Sequence, residues 1–590
     1  MDFYQLLDQA IKLHASGDLT AAERLYANIL SADPSNFTAL HFLGVLRAQQ
    51  GRNSEAQRLI EAAIKSNPRS ASALTNYGNV LIALGRHQDA LESYNRALAL
   101  QWDPVTLNGK ATALQKLGRF DDALESYDRA IAAKPDYAEA HYNRGNILQA
   151  LGRFDEAIAS YDAILALDPG HADAWTNRGN VLAELRRYAE ALESHDRARK
   201  SKPNDPRILG NRSIALWNMG HHAQALESAD LALSIDPGLA FLWSHRGNVL
   251  RAMGRPDDAL ESFDRAISLD GGDAQSRLNK SYCLLLAGRW KEGWPLFEWR
   301  KRLPVPVESR NFAHPLWTGK EDLRGKILFC YAGQGLGDTV QFFRYCALLR
   351  ERGAHVILAP QKSLMRLLGA ADPCVTLIDE NAVPEHFDYH SPLMSLPLAF
   401  GTTVETIPGG GAYLNAEPTK VREWGAALGE GGFKIGISWR GNERGTIRGR
   451  SFPLSLFEKL ARLPGIRLIS LQKDATDAER DSVFPDLNIE SLGGKFDNGP
   501  DAFVDSAAVI QNLDLVITAD TAIAHIAGAL GKQTWIALQH LPDWRWLSDR
   551  ADTPWYRSVT LYRQPAPGDW PGVFDQMERA LALLLADARN

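Results

Sequence analysis

The sequence predicts an all-α repeat solenoid followed by a two-lobed α/β region, and three observations predict it. A self-similarity with a 34-residue step runs through residues 1–302. From Lys326 the pattern changes to short apolar runs alternating with amphipathic stretches, which is how βαβ units read. A glycine-rich break at Glu430–Gly432 then divides that second region in two. At 590 residues the chain is too long for one hydrophobic core.

The repeats align on a glycine that closes each first helix: Gly17, Gly51, Gly85, Gly118, Gly152, then Arg186, Gly220, Gly254 and Gly288. Every step is 34 residues except one of 33, between Gly85 and Gly118. Five residues after each mark stands a small residue: Ala22, Ala56, Ala90, Ala123, Ala157, Ala191, Ala225 and Ala259. Small residues let paired helices approach closely. Prolines, which cannot continue a helix, follow at Pro34, Pro68, Pro135, Pro169, Pro203 and Pro237. In the ninth cycle Gly293 replaces the alanine and Arg300 follows, which reads as a terminal repeat that stops the stacking. This period, with its small and proline positions, resembles the tetratricopeptide repeat.

The repeats are expected to end near Arg302, and residues 303–325 read as a linker with Pro304, Pro306 and Pro315, packed through Phe312 and Trp317. A first lobe over 326–431 is expected to contain strands Ile327–Tyr331, His355–Ala359 and Val375–Asp379. A second lobe over 432–590 is expected to contain Lys434–Trp439, Ile466–Gln472, Leu513–Ala519 and Gln533–Leu538. A last amphipathic helix, near Val573–Ala586, is expected to cross back to the first lobe.

Composition narrows the function classes. A hydrophobic fraction of 45% and a charged fraction of 23% are ordinary for a soluble globular chain. A net charge of -6 without a concentrated basic tract gives no support for a nucleic-acid partner. No apolar run reaches the about eighteen residues of a membrane span, and the first residues lack the basic and apolar regions of a signal peptide. Cys283, Cys330, Cys346 and Cys374 are widely spaced, so they read as reduced, packed thiols rather than a zinc or disulfide set. A cytoplasmic location is expected.

Three motifs carry the chemistry. Ala332–Thr339 reads Ala-Gly-Gln-Gly-Leu-Gly-Asp-Thr; it follows an apolar strand and opens a helix expected over Val340–Arg350. Gly335 and Gly337 would let a ligand approach the backbone, and Asp338 falls at or near the helix start, as a site residue or as an N-cap. The glycines at 333, 335 and 337 do not form Gly-x-Gly-x-x-Gly, which weakens a dinucleotide reading. Ile435–Asn442 reads Ile-Gly-Ile-Ser-Trp-Arg-Gly-Asn and leads to Arg448, Arg450, Ser451, Phe452 and Pro453, either a phosphate-gripping arginine loop or a solvated loop with scattered charges. Leu515–His525 runs from a strand into a helix at Asp520; the free amides of Thr521 and Ala522 suit an anion, and His525 follows about one turn later. A histidine so placed is either structural or directed at the ligand.

Together and in this order the motifs resemble the glycosyltransferase domain of bacterial tetratricopeptide-repeat proteins. That domain is itself similar to ADP-heptose:lipopolysaccharide heptosyltransferases, whose fold is GT-B, two Rossmann-like lobes. The resemblance implies that Asp338 is the general base on an acceptor hydroxyl, and that Arg450 contacts the donor diphosphate. It implies that Asp520, Thr521, Ala522 and His525 form the nucleotide-phosphate element, and that Gln472 and Lys473 hold the nucleoside. Related repeat proteins often carry glutamate where this chain has Gly333.

Two polar columns mark the repeats. Asn76, Asn143, Asn177, Asn211, His245 and Asn279 form one; Asn79, Asn146, Asn180 and Asn248, three residues on, form the other. Stacked repeats turn such columns into ladders along the concave groove, and an amide can both donate to and accept from a peptide backbone. The first ladder resembles that of O-GlcNAc transferase, which implies a polypeptide held in the groove; asparagine simply being common in the repeat is the alternative. The expected activity is therefore transfer of a sugar from a nucleotide-sugar to Ser or Thr of a protein, with flagellin an acceptor that the resemblance implies. The nucleotide-sugar would be a substrate, with no cofactor and no metal, since no Asp-x-Asp motif is present. Glycan- or lipopolysaccharide-directed transfer, and a non-catalytic scaffold with a degenerate nucleotide-binding domain, are the alternatives.

Overall fold

A computed structural model describes residues 3–305, 310, 312–333, 335–409, 411–441, 449–476, 478–499 and 502–587. Of the residues singled out above, Pro306, Gln334, Asn442 and Arg448 lie outside the described residues. The chain divides into two compact units, Met1–Pro237 and Gly238–Asn590.

The first unit is a run of helix pairs, from Phe3–Ala15 with Leu19–Ala32 to Pro206–Asn218 with His222–Ile235. Each first helix ends on a residue with positive φ, such as Gly51 at 76°, a conformation glycine adopts without steric cost. Arg186 takes the same conformation at 60°, so the repeat geometry overrides the side chain's preference there. Ala22, Ala56, Ala90, Ala123, Ala157, Ala191 and Ala225 are all fully buried at the helix crossings. Tyr94, Tyr127 and Tyr161 fill the space between helices, and their hydroxyls bond Asn79, Thr112 and Asn146.

The second unit contains two more helix pairs, Ala240–Ala252 with Pro256–Leu269 and Ala274–Leu286 with Trp290–Phe297. The last pair is not a plain repeat end. Leu278, Leu285, Trp290, Trp294 and Phe297 belong to one core with Leu328, Val340, Phe342, Ile526, Trp544 and Trp555 of the α/β region. Trp290 stacks on Trp555 with ring centroids 5.2 Å apart, and Trp294 meets Trp544 edge-on at 5.3 Å. The Trp294 indole N–H donates to the Thr402 carbonyl at 2.9 Å. Aromatic residues at these positions exchange helix-on-helix stacking for docking onto sheets. Phe312 packs on Phe329 and Phe387, and the Trp317 amide donates to the His390 carbonyl at 2.9 Å.

The first sheet is parallel, in the order β3-β2-β1-β4, from β1 (Ile327–Tyr331), β2 (His355–Ala359), β3 (Thr376–Leu377) and β4 (Tyr389–Pro392). The register pairs Leu328 with Val356 on one side and with Tyr389 on the other. The second sheet has the order β10-β11-β9-β8-β5-β6-β7, built from β5 (Phe433–Ser438), β6 (Ile466–Ser470), β7 (Ile489–Glu490), β8 (Leu515–Ala519), β9 (Thr534–Leu538), β10 (Asp552–Thr553) and β11 (Tyr556–Arg563). All its pairings are parallel except β10 with β11. The expected strands at Ile327, His355, Lys434, Ile466, Leu513 and Gln533 are present, whereas the third shrinks to Thr376–Leu377. Strands β4 and β11 escaped the sequence reading because their residues do not form apolar runs: β4 is Tyr-His-Ser-Pro and β11 contains Arg557, Ser558 and Thr560.

Two expectations are corrected. The terminal helix, Trp570–Asp587, stays on the second lobe: Val573, Phe574, Met577 and Leu581 are buried with Phe452, Phe457, Leu460 and Trp535. Its apolar stripe finds a matching surface beside its own sheet, so nothing draws it across. Cys283, Cys330 and Cys346 are buried free thiols, but Cys374 is exposed. Among the described residues no helix is long and apolar enough to cross a membrane.

Candidate functional site

The first motif's helix opens at Leu336, four residues earlier than the sequence reading placed it, runs to Phe343 and resumes at Tyr345–Glu351. Gly335 is the N-cap and Asp338 sits in the first turn, so Asp338 is not the N-cap residue. A carboxylate three positions inside a helix can reach back to the N-cap amide. The Gly335 amide is indeed among the groups that hold the Asp338 carboxyl down.

The helix Ala522–Ala529, which follows β8, packs directly against Leu336–Phe343, so the two motifs face each other. The glycines make this approach possible. A Cβ at Gly335 would lie 2.6 Å from Asp338 Oδ2, and one at Gly337 would lie 2.6 Å from His525 Cδ2. A side chain at Gly335 would meet Asp338 and one at Gly337 would meet His525, so both glycines serve this contact.

Asp338 pairs with Arg545 of the second lobe, a residue the sequence reading missed. The Arg545 guanidinium is nearly buried and fully engaged: Nη2 donates to Asp338, Nε to Gln341 Oε1 at 2.8 Å, and Nη1 to Asp543 Oδ1 at 2.7 Å. Burial opposes its charge, but Asp338, Asp543 and Asp520 outweigh that and hold it firmly cationic. Burial raises the Asp338 carboxyl above the usual range; Arg545 pulls it down, Asp543 pushes it up, and Arg450 adds a smaller downward pull. Arg450, predicted from the second motif, thus joins this cluster electrostatically. Asp520, at the end of β8, is buried and pushed up to about 6, first by burial and then by Asp543, against Arg545 and Arg450.

His525 is also buried. Its Nδ1 is 2.9 Å from the Tyr556 hydroxyl and its ring stacks on Trp546 at 5.4 Å. Burial, then Arg545, Arg344 and Arg450, drive it well below the ordinary histidine range, so it is a neutral imidazole. It joins the two helices as a wedge. Thr521 and Ala522, by contrast, are partly exposed at the helix N-terminus, and no side chain caps that end. Their amides and the helix dipole favour an anion there.

Gln472 and Lys473 make hydrogen bonds within their own lobe. The Gln472 Oε1 accepts from Ser438 Oγ at 3.0 Å and from the amides of Trp439 and Arg440 at 3.2 and 3.1 Å, and its Nε2 donates to the Arg440 carbonyl at 3.1 Å. Lys473 Nζ donates to the Asp497 carbonyl. Both therefore shape the loop beyond β5 and the segment after β7.

Arg344, also missed, interrupts the first motif's helix and donates to the Trp555 carbonyl at 2.8 Å and to the Tyr413 hydroxyl at 3.1 Å. The signal for Arg545 was present as Asp543-Trp544-Arg545-Trp546, a charged pair among large aromatics between two strands. Nothing local marks Gln341 or Arg344. Among the described residues no group of three or more His, Cys, Asp or Glu side chains could hold a metal ion.

In the first unit the two asparagine columns are cross-linked. Asn177 Nδ2 donates to Asn146 Oδ1 at 2.9 Å, and Asn211 Nδ2 to Asn180 Oδ1 at 2.8 Å. Asn143 reaches Asn108 at 3.4 Å, and Asn76 lies 2.9 Å from His41 Nε2. Asn76, Asn143, Asn177 and Asn211 are half-buried. In the second unit Asn279 is 5% exposed and His245 is 9% exposed, so neither is available to a peptide and the assignment of Asn279 is corrected.

The tetratricopeptide repeat profile matches residues 7–56, 43–103, 108–172, 145–206 and 176–240, and a second profile of the same repeat matches 240–273. Protein FlbA of Caulobacter vibrioides is 27% identical over 331 residues, covering 52% of this chain and 55% of FlbA, so the chain spans about half the length of that relative. Human tetratricopeptide repeat protein 7A is 29% identical over 85 residues, 14% of this chain and 10% of its own. Among solved structures, a tetratricopeptide repeat protein from Parabacteroides merdae is 20% identical, covers 48% of this chain and 98% of its own, and has a TM-score of 0.30. YrrB, described as a TPR protein with an unusual peptide-binding site, is 24% identical, with 31% and 95% covered and a TM-score of 0.27. Tetratricopeptide repeats therefore run across about the first 270 residues of the chain.

Proposed function

We propose that the α/β region is a metal-independent glycosyltransferase of the GT-B type. It takes a nucleotide-sugar as donor and modifies Ser or Thr of a cytoplasmic polypeptide recruited by the repeats. The observation that carries this reading is the facing pair of helices: Leu336–Phe343 after β1 brings Asp338, and Ala522–Ala529 after β8 brings an uncapped N-terminus, each at the carboxyl end of a parallel strand. Ligands of open α/β sheets bind at that end.

In this reading the donor diphosphate lies against the Thr521 and Ala522 amides, with Arg450 nearby. Asp338 removes the proton from the acceptor hydroxyl. That oxygen forms the new bond to the anomeric carbon as the bond from that carbon to the phosphate oxygen breaks, and the nucleoside diphosphate leaves with the electron pair. One displacement inverts the anomeric centre. Arginine and helix dipole, both prearranged, meet the charge on the leaving group. The half-buried Asn143, Asn177 and Asn211 are the acceptor-binding candidates that remain.

The test incubates the full chain with UDP-, GDP-, ADP- and dTDP-sugars, with and without candidate acceptor proteins, flagellin first. Nucleoside diphosphate release and acceptor intact mass are both measured. Acceptor-dependent release with a one-sugar mass increment is expected. Absence of release and of any mass change across all donors and acceptors rejects the reading.

A further inference from the structure

Arg545 is placed as an aiming device. Its three kinds of nitrogen are each taken by a different partner, two of them, Gln341 and Asp338, on the Leu336–Phe343 helix and one, Asp543, two residues away on its own turn. Gln341 and Asp338 are one turn apart on that helix, so the planar guanidinium spans both and fixes the rotation of the Asp338 carboxylate. The other Asp338 oxygen, Oδ2, lies beside Gly335, whose amide hydrogen-bonds the carboxyl. The turn that carries Arg545 is itself held. The guanidinium lies 4.3 Å from the Trp544 ring centre, and Trp544 is clamped by Trp294 and Phe297 of the last repeat at 5.3 and 6.0 Å. A buried arginine held on three sides is costly unless its partners are fixed, so the arrangement is rigid by construction.

Resting on the transferase reading above, we propose that Arg545 is the positioning residue of Asp338, holding its carboxylate aimed and ionised for removal of the acceptor proton. The charged and titratable groups facing the pair are Asp543 on the same turn, Asp520 and His525 from the β8 end and its helix, Arg450 from the loop beyond β5, and Tyr282 from the last repeat. With three carboxylates against two guanidiniums, loss of Arg545 leaves the partly buried Asp338 facing like charges, which favours its protonated form.

The experiment follows the Asp338 carboxyl in the full chain labelled with carbon-13 aspartate, assigned by Asp338→Asn, and titrated by NMR. Arg545→Gln is expected to raise its midpoint by at least about one pH unit, the effect of removing a close opposite charge. Arg545→Lys, which keeps the charge, is expected to leave the midpoint near that of the unaltered chain. Asp543→Asn is expected to lower it, and this second variant decides the matter should Arg545→Gln fail to fold. In transfer assays, Arg545→Gln is expected to move the acidic limb of kcat/KM upward by a similar interval, and Arg545→Lys to lower kcat with donor KM unchanged. A midpoint that stays put in Arg545→Gln, or that does not fall in Asp543→Asn, overturns the proposal. So does a raised donor KM with an unmoved acidic limb, which would make Arg545 a donor contact. A chain that releases no nucleoside diphosphate sinks the transferase reading alone, because the NMR titration still reads the Arg545–Asp338 coupling.

Discussion

Replacing Trp294 by alanine should reveal that the last repeat is part of the α/β core. Trp294 is 2% exposed, meets Trp290, Phe297 and Trp544 edge-on, and donates its indole N–H to the Thr402 carbonyl at 2.9 Å. Truncating such a side chain loses the transfer free energy and leaves a cavity, for a total of about 3–5 kcal/mol. The orphaned Thr402 carbonyl places the expected value in the upper half of that range, since an unmet buried acceptor costs roughly 1–3 kcal/mol by itself. Urea unfolding followed by tryptophan fluorescence, with hydrogen exchange to separate the two compact units, measures it. The transition of the unit Gly238–Asn590 should move to lower urea, and that of Met1–Pro237 should stay. A loss below about 1 kcal/mol, or an equal shift in both units, would refute the shared core. The same packing means that a chain cut at Leu303 exposes Leu328 and Val340 core neighbours and should be far less stable than one cut at Gly238.

Four further outcomes are expected. Asp338→Asn should reduce transfer by about 10²–10⁴-fold while calorimetry finds nucleoside diphosphate affinity unchanged; transfer at the unaltered rate would remove Asp338 from the mechanism. Gly337→Ala forces a methyl against the His525 ring, and overpacking of about 1–3 kcal/mol should outweigh the gain in helix propensity of about 1 kcal/mol; Gly337→Ala with His525→Ala should recover part of the loss, and no recovery would break the link. Asp520 holds its proton more tightly folded, at about 6, than the usual 3.8, so this group's contribution to stability is lost as pH rises through that interval, by about 3 kcal/mol; Asp520→Asn should flatten the pH dependence of the second unit's urea midpoint, and parallel curves would show the reverse. Asn177→Ala with Asn211→Ala removes three inter-repeat bonds and should cost the first unit about 1–3 kcal/mol, besides weakening polypeptide binding; an unchanged thermal midpoint would show that these amides face only the groove.

Local chemistry wrote much of this protein into its sequence. The 34-residue period needs only a helix stop, a small residue and a helix breaker at fixed spacing, and all act within one repeat or on the next. The apolar runs of β1, β5, β8 and β9 were legible for the same reason: strands buried on both faces read as continuous hydrophobic stretches. Asp338, Asp520 and His525 could be singled out because each follows a strand and opens or enters a helix.

Tertiary structure decided what those residues meet. Arg545 lies more than two hundred residues from Asp338 in sequence, and no periodicity joins them. Packing of the Trp544–Trp546 turn against the last repeat and of Leu336–Phe343 against Ala522–Ala529 sets the frame in which they meet. Gly335 and Gly337 look in sequence like a ligand cradle, and only the fold shows that Asp338 of the same turn and His525 of the opposing helix lie against them. Asn279 matches the groove column in sequence, yet it is buried in the folded chain. The terminal helix has an apolar stripe that sequence reveals, but which lobe it covers depends on where a complementary surface, here Phe452, Phe457 and Trp535, is presented. A sequence fixes which faces are apolar and which groups are charged; which of them become neighbours is set by long-range packing, where burial and mutual charge then determine each group's protonation.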